Sequence, residues 1–208
     1  MLFSELVSNV ITLTNRPDFE AEIKVHLLKA TSKLHLADFW FRDRRVDYYT
    51  FNTAAYIQTL SIAEVFSRWR AWSFLRKYNP NGTDPQTQLQ TGVGRYPLIE
   101  ILEPQELFNE YFSSKTDVAY AAGDTLTIRS SDPLKYLLVG WYQAPILSTD
   151  DAVYSSWIAD AHPYAIIDEA ICAVFRSIGY DEQERKYAQY TAEHLQLLRT
   201  NNTTPEGW

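Results

Sequence analysis

The sequence predicts an α+β fold in which N- and C-terminal helices form a four-helix bundle with a small antiparallel β-rich insertion between them. Apolar residues recur at helical spacing near both ends of the chain, whereas the middle changes to β-branched, aromatic runs separated by turn formers. The bundle is predicted from residues 1–45 and 150–199, the insertion from 46–149 and a C-terminal tail from 200–208.

Two helices are predicted in the N-terminal region. Apolar residues recur every three or four positions from Leu2 to Leu13 and from Phe19 to Ala37, which is the spacing of an amphipathic helix. The first helix should end before Pro17, because the residue that precedes a proline avoids the α-helical conformation.

The middle of the chain is predicted to form the insertion. Residues 46–51 and 56–62 are rich in β-branched and aromatic side chains, which favours two strands joined by residues 52–55. Turn formers dominate residues 79–94, which predicts a long exposed loop. Residues 68–75 fit a strand or a short helix, and the strand is favoured. The other predicted elements are a short helix starting near Glu103, and strands at 125–128 and 136–142 around a turn at 130–133.

The C-terminal region is predicted to return to helix. An apolar stripe runs from Tyr164 to Ile178 and is followed by Gly179, which suits the left-handed position at a helix end. A second helix is expected from Asp181 to about Arg199. Since the N-terminal helices cannot bury their stripes alone, these helices are their predicted partners in a four-helix bundle.

Composition and charge argue against several classes of protein. The 208 residues carry a formal net charge of -7, which argues against a general nucleic-acid binder and against attraction to anionic membranes. The single cysteine excludes an internal disulfide framework and a zinc site built from several cysteines. We expect neither a transmembrane span nor a signal peptide, because the sequence lacks the apolar runs of both.

Ser155, His162 and Asp168 are the residue types of a nucleophilic triad. They lie on or near one predicted helix, without the strained turn that presents a catalytic serine, so helix capping is the favoured interpretation. No other pattern indicates an enzyme, and we predict no catalytic residue.

No metal or cofactor site is predicted. His26 and His35 are nine positions apart, whereas a metal-binding pair on one helix face needs a spacing of four. Cys172 lies in an apolar helical segment and is expected to be a small buried side chain. Gly92 and Gly94 lack the third glycine of a dinucleotide-binding motif.

The aromatic and basic residues of the middle region predict an interaction surface. Aromatic residues make up 14% of the chain, and arginines stand beside tryptophans near residue 69. These residue types are enriched at protein interfaces, although a solvated face is the simpler alternative. The predicted subunit or tail interface comprises Arg44, Arg45, Arg68, Trp69, Arg70, Trp72, Asn81, Gly82, Gly92 and Gly94.

The order of segments resembles the head-to-tail adaptor (connector) proteins of tailed bacteriophages over nearly the whole chain. The first blocks are LTNRPD at 13–18, the apolar helix at 23–37 and DFWFRD at 38–43. The later blocks are IEIL at 99–102, ELF at 106–108 with Tyr111, AAGDTLTIRSS at 121–131, YQAP at 142–145, SWIA at 156–159, the helix at 166–178, Gly179 and the acidic pair at 181–182.

This resemblance implies a structural virion protein without catalytic activity or cofactor. Such proteins form a homo-oligomeric ring, typically a dodecamer, under the portal in the neck of the virion, and they assemble in the host cytoplasm. The ring binds the portal protein and a tail or nozzle protein, and genomic DNA passes through it without sequence-specific binding.

The C-terminal tail is the predicted portal-docking segment, because a tail that folds on binding can occupy a groove between subunits. Another virion ring protein, such as a tail terminator or nozzle component, is an alternative, and a carbohydrate-binding tail module is a less favoured one. The predicted docking residues are Thr200, Asn201, Asn202, Thr203, Thr204, Pro205 and Trp208.

Overall fold

A computed structural model describes residues 1–78, 97–107 and 115–202. The chain divides into a helical unit, Met1–Asp43 with Ala144–Trp208, and a β unit, Arg44–Gln143. The described elements are α1 (Phe3–Thr14), α2 (Glu20–Leu36), β1 (Arg44–Ser61), α3 (Ile62–Val65), β2 (Trp69–Tyr78), β3 (Leu98–Ile101), α4 (Pro104–Leu107), β4 (Val118–Ala122), β5 (Thr125–Gln143), α5 (Trp157–Ala161), α6 (Pro163–Ile178) and α7 (Asp181–Asn201).

The predicted four-helix bundle with a small antiparallel insertion is wrong, although the chain does combine helices with a sheet. The β unit accounts for almost half of the chain and has its own hydrophobic core. One of its strand pairs, β3 with β4, is parallel.

The helical unit is built around α6 rather than around four equivalent helices. Helices α1 and α2 pack on each other and on α6, while α7 packs mainly on α6. Nine residues of α6 are buried, but only Thr191 and Leu198 are buried in α7. Helix α7 covers α6, but it adds little to the common core because most of its side chains are polar or charged.

The ends of α1 and α6 follow local signals, and their predicted boundaries are confirmed. Helix α1 stops at Thr14, followed by Asn15 in the left-handed conformation with φ of 53°. Helix α6 starts with Pro163 in its first turn and ends before Gly179, whose φ is 76°. Proline tolerates the start of a helix and glycine adopts the left-handed conformation without strain, so these residues fix both ends of α6.

The sheet of the β unit closes on itself. Strand order is β1-β5-β2-β3-β4, and β4 also pairs with β5. Strands β5, β2, β3 and β4 therefore form a closed ring, and β1 pairs with β5 outside it. The core inside this arrangement includes Leu75, Leu126, Ile128, Leu137 and Val139, all of which are buried.

Two predicted turns are wrong because the strands continue through them. Residues 52–55 lie within β1 and residues 130–133 lie within β5. The β1–β5 pairing changes register between Thr50 and Ala55 and again before Ile57. These irregularities absorb the turn-forming residues without ending the strands.

Candidate interaction surfaces

A buried polar cluster joins distant segments of the helical unit. The His35 Nδ1 atom lies 2.9 Å from Asp43 Oδ2, and His35 Nε2 lies 2.9 Å from Ser156 Oγ. The indole N–H of Trp157 donates to Asp43 Oδ1 at 2.7 Å. A carboxylate facing Nδ1 favours a proton on that nitrogen, which leaves Nε2 able to accept a hydrogen bond from the serine hydroxyl.

This cluster has the residue types and the order of contacts of a Ser-His-Asp triad, but its residues are buried and have a structural role. His35, Asp43 and Ser156 are 1%, 5% and 4% exposed. Ser156 also accepts a hydrogen bond from the Ala159 N–H and caps α5. The serine thus lies inside the unit, and the cluster fixes the segments at residues 43 and 156.

The triad residues considered from the sequence do not meet. Ser155 is exposed, and its backbone pairs with Ile146. His162 is the boundary residue between α5 and α6. Asp168 lies 3.2 Å from His194 Nε2 on α7. His35, Asp43 and Ser156 could not be grouped from their sequence positions, because they are far apart in the chain.

Burial raises the pKa of Asp168, although the nearby His194 acts in the opposite direction. Burial also raises the pKa of the Cys172 thiol, whose side chain is 4% exposed. A thiol with a raised pKa is poorly ionised at neutral pH and therefore weakly nucleophilic. The prediction that Cys172 is a buried side chain is confirmed.

The described end of the predicted docking tail is anchored to the helical unit. Thr200 and Asn201 belong to α7, so the helix extends beyond the predicted end at Arg199. Asn202 accepts a hydrogen bond from the Phe41 N–H at 2.7 Å and donates to the Phe39 carbonyl at 3.3 Å. Thr203, Thr204, Pro205 and Trp208 lie outside the described residues.

An open groove lies where α1 ends, α6 ends and α7 begins. We call it the acidic groove, and its volume is about 580 Å³. Its apolar lining is aromatic and aliphatic, with the ring of Phe175 stacked 5.7 Å from that of Tyr187. The residues that line it are Leu13, Phe175, Gly179, Tyr180, Asp181, Glu182, Gln183 and Tyr187.

Both charged residues that line the acidic groove are acids. Asp181 and Glu182 are exposed, and neither forms a salt bridge with another described residue. Nearby, Glu184 is paired with Arg176 at 2.6 Å. The two acids also stabilise the positive end of α7, where the first turn leaves backbone N–H groups unpaired.

The β unit carries a surface of opposite charge, which we call the arginine face. Arg44 lies opposite Tyr142 in the β1–β5 pairing, and its guanidinium is 5.0 Å from the centre of the Phe74 ring. Arg76 approaches the same ring at 5.8 Å, and Arg70 lies 5.7 Å from the Tyr142 ring. These five residues define the arginine face.

Gly140 allows this face to pack tightly. Phe74 is the pairing partner of Gly140 in the β2–β5 ladder. A Cβ atom at residue 140 would run into the Phe74 ring. The absent side chain lets Phe74 lie flat on β5, and the arginines stack on it.

The tryptophans of the predicted interface pack mainly within the β unit. The rings of Trp69 and Trp72 are 5.2 Å apart, and Phe66 lies 5.1 Å from both Trp72 and Trp141. The indole nitrogens of Trp69, Trp72 and Trp141 are buried and have no hydrogen-bond partner within the described ranges.

The remaining predicted interface residues are dispersed. Arg45 is exposed and donates to Gln143 at 3.2 Å. Arg68 has a positive φ of 55° in the turn before β2. Asn81, Gly82, Gly92 and Gly94 lie outside the described residues, as does the predicted 79–94 loop.

A buried lysine ties the strands together at another point of the β unit. Lys77 is 7% exposed, and its Nζ lies 2.6 Å from Asp117 Oδ1 and 3.3 Å from Asp132 Oδ2. Burial acts to raise the pKa of Asp117, but hydrogen bonds from Lys77 and Ser131 outweigh it and hold that pKa below its ordinary value. The ion pairs of Lys77 therefore stabilise the β unit, and the cluster is not a candidate functional site.

Residues 1–78, 97–107 and 115–202 contain no group of three His, Cys, Asp or Glu side chains arranged to hold a metal ion. Over the same residues, no helix combines the length and apolar character needed to cross a bilayer.

Comparison with models of known protein families finds no match for this chain. Comparison with curated proteins finds no match either.

Proposed function

We propose that this chain is a head-to-tail adaptor of a tailed bacteriophage, which forms a ring under the portal, extends the DNA channel and carries the tail. The resemblance in the order of its segments supports the virion role. The observation that carries the ring is the presence of two aromatic surfaces of opposite charge on two separate units. Two different, complementary surfaces on one chain suit head-to-tail association, which closes into a ring when the rotation permits.

The portal contact is assigned to the C-terminal segment. Asn202 holds the end of α7 against the backbone of Phe39 and Phe41. In this proposal, residues 203–208 occupy a groove between portal subunits. Thr200 and Asn201 support this contact as parts of α7.

Deletion of residues 203–208 tests the portal contact, because it leaves α7 and the Asn202 hydrogen bonds in place. We expect the truncated protein to fold but to lose co-sedimentation with portal-containing heads. A matched control replaces the six residues by a Gly-Ser segment of equal length, and it should fail in the same way. Normal incorporation of the truncated protein into heads would reject the assignment.

Binding to isolated portal separates the adaptor from the alternative of a tail terminator or nozzle component. An adaptor binds the portal directly, whereas those components bind a surface that the adaptor or the tail provides. Retention of this protein on immobilised portal rings, without other virion proteins, is the expected result.

A further inference from the structure

We infer that the acidic groove of one copy receives the arginine face of a neighbouring copy, and that this contact joins the copies of the ring. The inference rests on the proposed function in taking a second copy of the chain as the partner. It names the two surfaces involved, which lie on the helical unit and on the β unit.

Charge complementarity between the two surfaces is the first argument. The charged residues that line the groove are Asp181 and Glu182, whereas the arginine face contributes Arg44, Arg70 and Arg76. Arginine binds carboxylates with two parallel hydrogen bonds in a fixed geometry, so it gives orientation as well as attraction.

The apolar parts of the surfaces also match. Tyr180 is 57% exposed and Leu13 is 47% exposed at the groove, although both are large side chains. Phe74 and Tyr142 are half-buried on the arginine face. Aromatic and arginine side chains surrounded by polar residues are typical of the centres of protein interfaces.

The arginine side chains are held ready for such a contact. Arg44 and Arg76 stack on one ring, which limits the rotamers that they would lose on binding. Preordered side chains lower the entropy cost of association.

The contact is heterologous, because it joins two different surfaces. The charge of each surface can therefore be reversed in a separate variant, and mixing the two variants tests whether the surfaces bind each other. One variant carries Asp181→Lys with Glu182→Lys, and the other carries Arg70→Glu with Arg76→Glu. In either variant alone, the groove of one copy and the arginine face of the next carry charge of the same sign, so they repel each other. In a mixture, the reversed groove of the first variant can bind the reversed face of the second. The native groove of the second variant can then bind the native face of the first.

Sedimentation velocity over a range of protein concentrations measures the result. We expect the wild type to associate as concentration rises, each variant to stay monomeric, and the equimolar mixture to associate again in even-numbered species. Added salt should weaken wild-type association, since salt screens the attraction between the carboxylates of the groove and the guanidinium groups of the arginine face. Matched controls reverse equal charge at exposed positions elsewhere: Glu22→Lys with Glu193→Lys, and Lys29→Glu with Lys135→Glu. Both controls should associate as the wild type does.

Three results would each overturn the inference. The wild type could stay monomeric at all concentrations, either variant alone could associate normally, or the folded mixture could fail to associate. Binding of short duplex DNA that is lost in the Arg70→Glu, Arg76→Glu variant while self-association persists would also overturn it. If a reversed variant fails to fold by circular dichroism, the neutral pairs Asp181→Asn with Glu182→Gln, and Arg70→Gln with Arg76→Gln, replace it. Each neutral pair should weaken association, and unchanged association would overturn the inference.

Failure of the inference and failure of the proposed function have different signatures. If the wild type forms rings on portal-containing heads but the swap does not restore association, this contact is wrong and the adaptor role stands. If the swap restores association but the protein never joins such heads, the contact stands and the adaptor role is wrong.

Discussion

The two units bury polar groups in different ways. In the helical unit the buried indole N–H of Trp40 donates to the Leu34 carbonyl, and the part-buried indole N–H of Trp157 donates to the buried carboxylate of Asp43. In the β unit the buried indole nitrogens of Trp69, Trp72 and Trp141 have no partner among the described residues.

The difference indicates what holds each unit together. The helical unit depends on hydrogen-bond geometry between segments that are distant in sequence, because its buried polar groups are paired. The β unit contains buried donors that have no partner among the described residues, an arrangement that costs roughly 1–3 kcal/mol for each donor left unpaired, and it depends on aromatic packing around Phe66 instead. The same chemical substitution should therefore have unequal effects in the two units.

The largest effect is expected for His35→Ala in the helical unit. The substitution removes one hydrogen-bond partner from the buried Asp43 carboxylate and one from the buried Ser156 hydroxyl, and each such loss typically costs about 1–3 kcal/mol. Amide hydrogen exchange in α2 and α5 measures the loss of protection. His26→Ala on the same helix is the control and should change stability by less than about 0.5 kcal/mol, since His26 is half-buried and lies outside the cluster. Equal effects of the two variants would contradict the structural importance of the cluster.

Matched Trp→Phe substitutions compare the units directly. Trp157→Phe removes a hydrogen bond to a buried carboxylate, whereas Trp141→Phe removes an indole nitrogen that has no partner among the described residues. Hydrogen bonds to charged groups contribute about 1.5–3 kcal/mol, so Trp157→Phe should cost more by that amount in addition to the shared loss of ring area. Denaturant unfolding of both variants gives the comparison, and an equal or larger cost for Trp141→Phe would reverse the distinction.

The smallest effect is expected in the pH dependence of stability. The Asp117 pKa in the folded protein lies below the ordinary value of 3.8, so its contribution is present above pH 3.8 and is lost as the pH falls through the lower folded pKa. The advantage of the wild type over Asp117→Asn should shrink over that acidic interval. Since the Asp117 side chain is 32% exposed, we expect a change below about 1 kcal/mol.

Asp168 in the helical unit should respond in the opposite direction. Its pKa is raised, so its contribution is present below pH 3.8 and is lost as the pH rises through the higher folded pKa. Asp168→Asn should therefore gain stability relative to the wild type over that interval. Calorimetric unfolding of the wild type and both variants between about pH 2 and pH 7 checks the two directions, and parallel curves for both variants would contradict them.

The helices could be predicted from the sequence, because their ends depend on nearby residues. Pro17 and Gly179 marked boundaries that the structure confirms. The continuity of β1 and β5 could not be predicted, because Pro133 and the residues before it favour a turn locally while pairing with distant strands keeps the chain extended. The secondary role of α7 was also missed, although its many charged residues were a signal for it.

The candidate surfaces were predicted in part. Arg44, Arg70 and the tryptophans were chosen for their residue types, and the structure places both arginines against aromatic rings. The acidic groove was missed because three helices bring its residues together. The His35 cluster was missed because its residues are far apart in the chain, and Ser155, the serine considered from the sequence, is the neighbour of the true cap, Ser156.

Electron microscopy of the purified protein mixed with its portal tests the central claim most directly. The account predicts a closed ring of copies bound to one face of the portal, with the β unit of each copy against the helical unit of its neighbour. Single copies scattered on the portal, a ring joined by other surfaces, or no binding would contradict it.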